Sequence, residues 1–141
     1  NCYIYTIDYN GDPTSNLDIS KWILLEKLRN ENLEKIKNEF KNVKVIFYEG
    51  DSRNILKNIF INNKIKKVDL FYQDSMHFFE GIKSEWELVS PYIKKNCYTI
   101  FDDVQLKEVR KFKKWFKNKY KDNFLYEDIN DGHKQFIVKK I

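Results

Sequence analysis

The chain has 141 residues, 42% hydrophobic and 33% charged, the balance of a globular protein with room for one cored domain. No apolar run approaches the ~20 residues of a spanning helix and no signal peptide is visible, so no membrane association is expected, and two cysteines that read as buried thiols fit a reducing cytoplasm. The net charge of +5 is compatible with anionic ligands or nucleic acid, but a lysine-rich solvated surface accounts for it, so nucleic acid is not an expected partner.

Cys2 to Ile7 is β-branched and aromatic and predicts a strand ending at Asp8. Asn10, Gly11, Asp12 and Pro13 predict a loop. Asp18 or Ser20 caps a helix through Trp22, Leu25, Leu28, Leu33, Ile36 and Phe40, with a break near Asn30. Val43 to Tyr48 is the next strand, followed by Glu49-Gly50-Asp51-Ser52. Asp51 or Ser52 caps a short helix bearing Ile55, Leu56 and Ile59, and Asn62 to Lys67 is a polar connection. Cys2 and Cys97 each fall in a strand, which predicts buried thiols and no disulfide.

Val68 to Asp103 organises the rest. Val68, Leu70 and Tyr72 alternate with Asp69, Phe71 and Gln73, apolar enough on both sides for a strand covered by helices. Ile82, Trp86 and Val89 recur at helical spacing, with Glu80, Lys83, Glu85 and Glu87 mostly on the other side. Pro91 is tolerated only near the end of that helix. Tyr98 to Phe101 is a strand closed by Asp102-Asp103. Leu106 to Tyr120 is a basic helix with the stripe Val109, Phe112, Trp115 and Phe116. Phe124 to Asp128 and Gln135 to Lys139 flank the hairpin signal Asn130-Asp131-Gly132.

Strands alternating with helices predict a single domain over 1–141, a three-layer α/β sandwich of the Rossmann-like kind. Its sheet is mostly parallel and ends in an antiparallel hairpin. Two strands joined by one helix are parallel, so Asp74, His77, Asp102 and Asp103 converge at one sheet rim, where open α/β sheets bind ligands. Clustered carboxylates repel unless a cation or protons neutralise them, and oxygen ligands favour Mg²⁺ first, with Mn²⁺ or Ca²⁺ next. His77, with a free pKa near working pH, suits proton abstraction from a hydroxyl. Singly, Asp102 and Asp103 also read as helix caps and His77 as a surface residue. Asp8 ends a strand where nucleotide folds accept ribose hydroxyls, and Asp51 with Ser52 either meets an adenine amino group or caps a helix.

The run DLFYQDSMHFFEGIKSEWELVSPYIKKNCYTIFDDV resembles the class I methyltransferases that use S-adenosylmethionine. It is nearest the metal-dependent small-molecule subgroup of macrolide-sugar O-methyltransferases and cephalosporin-hydroxylase-like proteins. Asp74, His77, Glu80, Gly81, Asp102 and Asp103 match its pattern, as do the upstream YTID and EGDS stretches. The resemblance implies Mg²⁺ on Asp74, Asp102 and Asp103, with His77 as general base. It also implies donor binding by Asp8, Asp51, Ser52 and Asp74, and a sugar or other small hydroxylated metabolite as acceptor. A homo-oligomer is compatible with it.

The chain departs from the pattern at Ser75, where Gly is usual, at Met76, where a polar residue is common, and at Lys95-Asn96, where Gly-Gly is usual. The family's first strand and glycine-rich loop are not present. The chain opens at Asn1 without an initiator Met, and the expectation is about 50 or more further residues upstream, enough for a strand, a loop and flanking helices. These 141 residues alone are then expected to bind the donor poorly. Competing readings are a nucleotide- or partner-binding domain without turnover and a Mg²⁺-dependent receiver-like or phosphohydrolase-like domain, the latter opposed by the terminal hairpin.

Overall fold

A computed structural model describes residues 2–8, 19–62, 65–130 and 134–141. The loop expected at Asn10 to Pro13, the cap at Asp18 and the turn residues Asp131 and Gly132 lie outside the described residues. The chain groups into two compact units, Asn1–Ile55 and Leu56–Ile141.

In the first unit β1 (Cys2–Asp8) and β2 (Val43–Glu49) form a parallel pair, in register from Cys2 opposite Val43 to Asp8 opposite Glu49. A parallel pair needs a long crossover, and α1 (Ile19–Glu39) supplies it. The break expected near Asn30 is not there: α1 runs through it unbroken, Asn costing a helix only a few tenths of a kcal/mol relative to the residues around it. The Arg29 guanidinium lies 4.1 Å from the centre of the Phe47 ring, which ties α1 to β2. Gly50 then turns the chain with φ at 132°, a conformation that side chains disfavour, and α2 (Ser52–Ile61) begins.

The second unit holds β3 (Val68–Gln73), α3 (Phe79–Val89), a single 3-10 turn at Ser90–Tyr92, β4 (Ile93–Phe101), α4 (Lys107–Lys119), β5 (Phe124–Asn130) and β6 (Lys134–Lys140). Its sheet has the order β3-β4-β6-β5, with β3 and β4 parallel and the other neighbours antiparallel. The mixed sheet and terminal hairpin therefore stand as the sequence predicts. β4 starts five residues earlier than Tyr98, and its register against β3 shifts between Val68 and Leu70. Asn96 has φ of 67°, the left-handed conformation that asparagine tolerates best among residues with a side chain. This answers the loss of the Gly-Gly pair at Lys95-Asn96.

Period-two alternation assigns the two sheet faces. Gln73, Thr99, Phe101, Phe136, Val138 and Phe124 are buried on one. Against them pack Ile82, Trp86 and Val89 of α3 and Val109, Phe112 and Phe116 of α4, all buried. Trp86 meets Phe116 at 4.9 Å and Phe101 at 5.8 Å between ring centres, and Phe101 meets Phe112 at 4.9 Å. Such pairs add about 0.5–1.5 kcal/mol each beyond burial. The opposite face carries a register row of Leu70, Tyr98, Lys139 and Leu125, in which Leu70, Tyr98 and Leu125 are exposed. Among the described residues of this unit, α3 and α4 leave that face bare. Several lysines of α4 have local partners: Lys113 lies 2.6 Å from Asp128, Lys111 2.5 Å from Glu108, and Lys119 4.8 Å from the Trp115 ring centre.

Cys2 and Cys97 are free thiols, but neither is buried, because Cys2 opens β1 in an exposed position and Cys97 is only half covered on β4. No described helix is long and apolar enough to cross a membrane.

Candidate functional site

Parallel pairing of β3 with β4 sets Gln73 opposite Phe101, so the chain leaves both strands side by side. The Asp102 amide donates to the Gln73 carbonyl at 3.1 Å, extending the ladder one step beyond the strands. Asp74 and Asp103 thereby stand at adjacent strand ends. His77 comes back toward them from the residues leading into α3. Its Nε2 lies 3.1 Å from Asp103 Oδ2 and 3.5 Å from Asp74 Oδ1. One donor atom from each of the three lies within 4.8 Å of the others. All three remain open to solvent, with side-chain exposures of 49% for Asp74, 38% for His77 and 31% for Asp103.

Asp102 behaves differently. It is buried, one oxygen accepts the Tyr72 hydroxyl, and the other accepts the Asp103 amide at 2.8 Å. Its carboxylate thus fixes β3 to β4 and shapes the turn that presents Asp103, while Asp74, His77 and Asp103 form the group. The hydrogen bond to Asp102 and burial push the Tyr72 phenol up to about 12. Gln135 Nε2 also donates to the Tyr72 hydroxyl, at 3.3 Å. Asp103 itself has φ of 54°, left-handed backbone that aspartate and asparagine adopt more readily than most residues. Gln105 Nε2 donates to its Oδ1 at 2.6 Å.

Partial burial raises the Asp74 carboxyl above its ordinary value, and repulsion from Asp102 and Asp103 adds to this against the attraction of His77. Two carboxylates open on the solvent side, with an imidazole beside them, could hold a divalent cation that retains several waters, Mg²⁺ or Mn²⁺.

In the first unit, Asp8 ends β1 opposite Glu49 in the register, adjacent to the strand end that leads into Asp51 and Ser52. Asp51 caps α2: its Oδ1 accepts the Arg53 amide at 2.9 Å. The Arg53 guanidinium donates to both oxygens, through Nε at 3.1 Å and Nη2 at 2.5 Å, and holds the carboxyl below its usual range. Ser52, next to it, is buried.

Three participants escaped the sequence reading. Tyr72 was legible only as a strand residue. Gln73 is buried and reaches Glu85, and Glu85, placed by sequence on the polar side of its helix, is 1% exposed. The signal was present: 82, 85, 86 and 89 are one helical stripe, and Glu85 lies inside it.

No protein-family model matches the sequence, and no curated protein does. Solved structures do match. CalS11, a TDP-rhamnose 3'-O-methyltransferase of calicheamicin biosynthesis, is 18% identical with a TM-score of 0.52, over 64% of this chain and 40% of its own. The O-methyltransferase NovP is 14% identical with a TM-score of 0.62, over 98% of this chain and 60% of its own. MycE, a methyltransferase of the mycinamycin pathway solved with Mg, SAH and mycinamycin VI, is 11% identical with a TM-score of 0.53, over 98% of this chain and 36% of its own. The likeness is one of fold: the chain has the Rossmann-like α/β fold of the class I methyltransferases. It spans 40% and 60% of the lengths of CalS11 and NovP.

Proposed function

We propose that this chain is the metal- and acceptor-handling part of an S-adenosylmethionine-dependent O-methyltransferase acting on a sugar or other small hydroxylated metabolite. The observation that carries the reading is the Asp74, His77 and Asp103 group at adjacent parallel strand ends, in a fold shared with sugar O-methyltransferases. MycE, a neighbour in fold, was solved with Mg and SAH.

Asp74 and Asp103 are the residues that would hold the divalent cation, with Asp102 behind them. Such a cation, when bound, supplies positive charge that orients an acceptor hydroxyl and favours its loss of a proton. His77 Nε2, already between two carboxylates, takes that proton as the hydroxyl oxygen attacks the sulfonium methyl carbon. The carbon–oxygen bond forms as the carbon–sulfur bond breaks, and the electron pair leaves with sulfur. Asp74 and Asp103 stabilise the imidazolium that results. Positioning of this kind accounts for much of the rate gain in bimolecular transfers. We assign Asp8, with Asp51 and Ser52, to the nucleoside of the methyl donor. In that role Asp51 acts with its carboxylate braced by Arg53.

The test is methyl transfer from S-adenosylmethionine to a panel of free and nucleotide-linked sugars by the protein as encoded in full, with Mg²⁺ and with a chelator. Transfer that is abolished by the chelator and strongly reduced in His77→Ala and Asp74→Asn is the expected result. Transfer indifferent to the chelator and to both substitutions refutes the assignment.

A further inference from the structure

We infer that Glu85 is a positioning residue, a buried carboxylate that grips from inside the core the loop carrying Asp74 and His77; this rests on the site reading above. Burying a carboxylate is costly unless hydrogen bonds compensate it. Here both oxygens accept bonds from the strand end and the loop that follows it: Oε1 from Ser75 Oγ at 2.5 Å and Oε2 from Gln73 Nε2, at the end of β3, at 3.0 Å. Gln73 Nε2 also donates to the Met76 carbonyl at 3.1 Å. The chain is therefore tied at 73, 75 and 76, on both sides of Asp74 and immediately before His77.

The need for such a grip follows from exposure. Asp74 and His77 stand half in solvent, so packing covers them only in part. Their geometry has to come from the backbone beneath them. Ser75 gives this its particular form. Its hydroxyl anchors the loop to the helix. Gly81 acts from the same side: a Cβ there would stand 2.7 Å from Met76 Sδ and 2.9 Å from Met76 Cβ, so the loop lies directly on the α3 backbone. Glu85 touches no reacting group. Its effect passes through the loop.

Two readouts on the full chain test this, nitrogen-15 relaxation of residues 74–77 and Mn²⁺ affinity by electron paramagnetic resonance. The variants are Ser75→Ala, Gln73→Met and Glu85→Gln, with Val109→Ala as a core control of lowered stability. Expected are loop order parameters falling from about 0.85 toward 0.6 in the three loop-grip variants. Their Mn²⁺ affinity should fall roughly tenfold, the usual cost of losing an outer-shell partner. Val109→Ala, compared at the same interval below its melting temperature, should change neither. If Glu85→Gln fails to fold, Ser75→Ala and Gln73→Met carry the test. Order parameters unchanged in those variants overturn the inference. If the unsubstituted chain binds no Mn²⁺, the metal reading falls, and the order parameters still decide whether Glu85 holds the loop.

Discussion

Replacing Gly81 by alanine sets two terms against each other. In an exposed helix the change gains about 1 kcal/mol, because glycine is the costlier helix residue. Gly81 is buried in the first turn of α3, and the new methyl would meet Met76 Sδ at 2.7 Å, Phe78 Cζ at 2.8 Å and Met76 Cβ at 2.9 Å. The sulfur and the ring tip are far ends of side chains and can swing aside. The Met76 Cβ moves only with its backbone. Overpacking of this kind costs about 1–3 kcal/mol, so the net expectation is a loss of about 1 kcal/mol. For a chain of this size that is a fall of about 3–5 °C in melting temperature, between the values for smaller and larger domains. Thermal unfolding followed by circular dichroism measures it. Met76→Gly in the Gly81→Ala background removes both contacts with Met76 and should recover part of the loss, giving a positive coupling in the double-mutant cycle. A Gly81→Ala variant more stable by about 1 kcal/mol, the propensity gain alone, would refute the close approach of loop and helix.

Asp51→Ala removes the cap of α2 and should cost about 1 kcal/mol at neutral pH. The Asp51 carboxyl is depressed in the fold, so its contribution is present above the ordinary value of 3.8 and fades as pH falls through the lower folded value. Denaturant titrations of the two proteins should converge below pH 3.8, and a constant gap would argue against the Arg53 contact. Phe116→Ala empties the centre of the aromatic cluster between α4 and the sheet and should cost about 3–5 kcal/mol, read from the denaturation midpoint. Asp103→Asn keeps a side chain that tolerates φ of 54° while removing the charge, so divalent affinity should drop at least roughly tenfold with little change in melting temperature. A large loss of stability with affinity preserved would mean that Asp103 serves the turn alone.

The elements were legible because each carries an undisguised period. CYIYTI and VKVIFY are β-branched and aromatic runs, and 82, 86 and 89 mark one helical face. The convergence of Asp74, His77 and Asp103 was also legible, since parallel strands joined by one helix must end together. What resisted reading was the direction of single side chains. Asp102 and Asp103 are neighbours of one type, yet left-handed backbone at Asp103 sends one carboxylate to the group and leaves the other with Tyr72. Glu85 carries a charge inside the apolar stripe of its helix, and only its two hydrogen-bond donors at Gln73 and Ser75 explain a carboxylate in the core. The early start of β4 at Ile93 was hidden because Lys94, Lys95 and Asn96 interrupt the apolar pattern, and Asn96 takes left-handed backbone within the strand.

The bare side of the β3-β4-β6-β5 sheet has a practical consequence at the bench. Leu70 is 59% exposed and Tyr98 45%, side by side on β3 and β4, and Leu125, 57% exposed, follows in the same row beyond Lys139. A strip of that kind takes up fluorescent hydrophobic dyes and adheres to plastic, resins and detergent monomers. Dye-based melting curves on this chain will start from a bright baseline, and a weakly bound organic probe will find the strip as readily as any pocket. Leu70→Thr and Leu125→Thr, which suit strands and shed the greasiest area, would give a quieter preparation for measuring ligands.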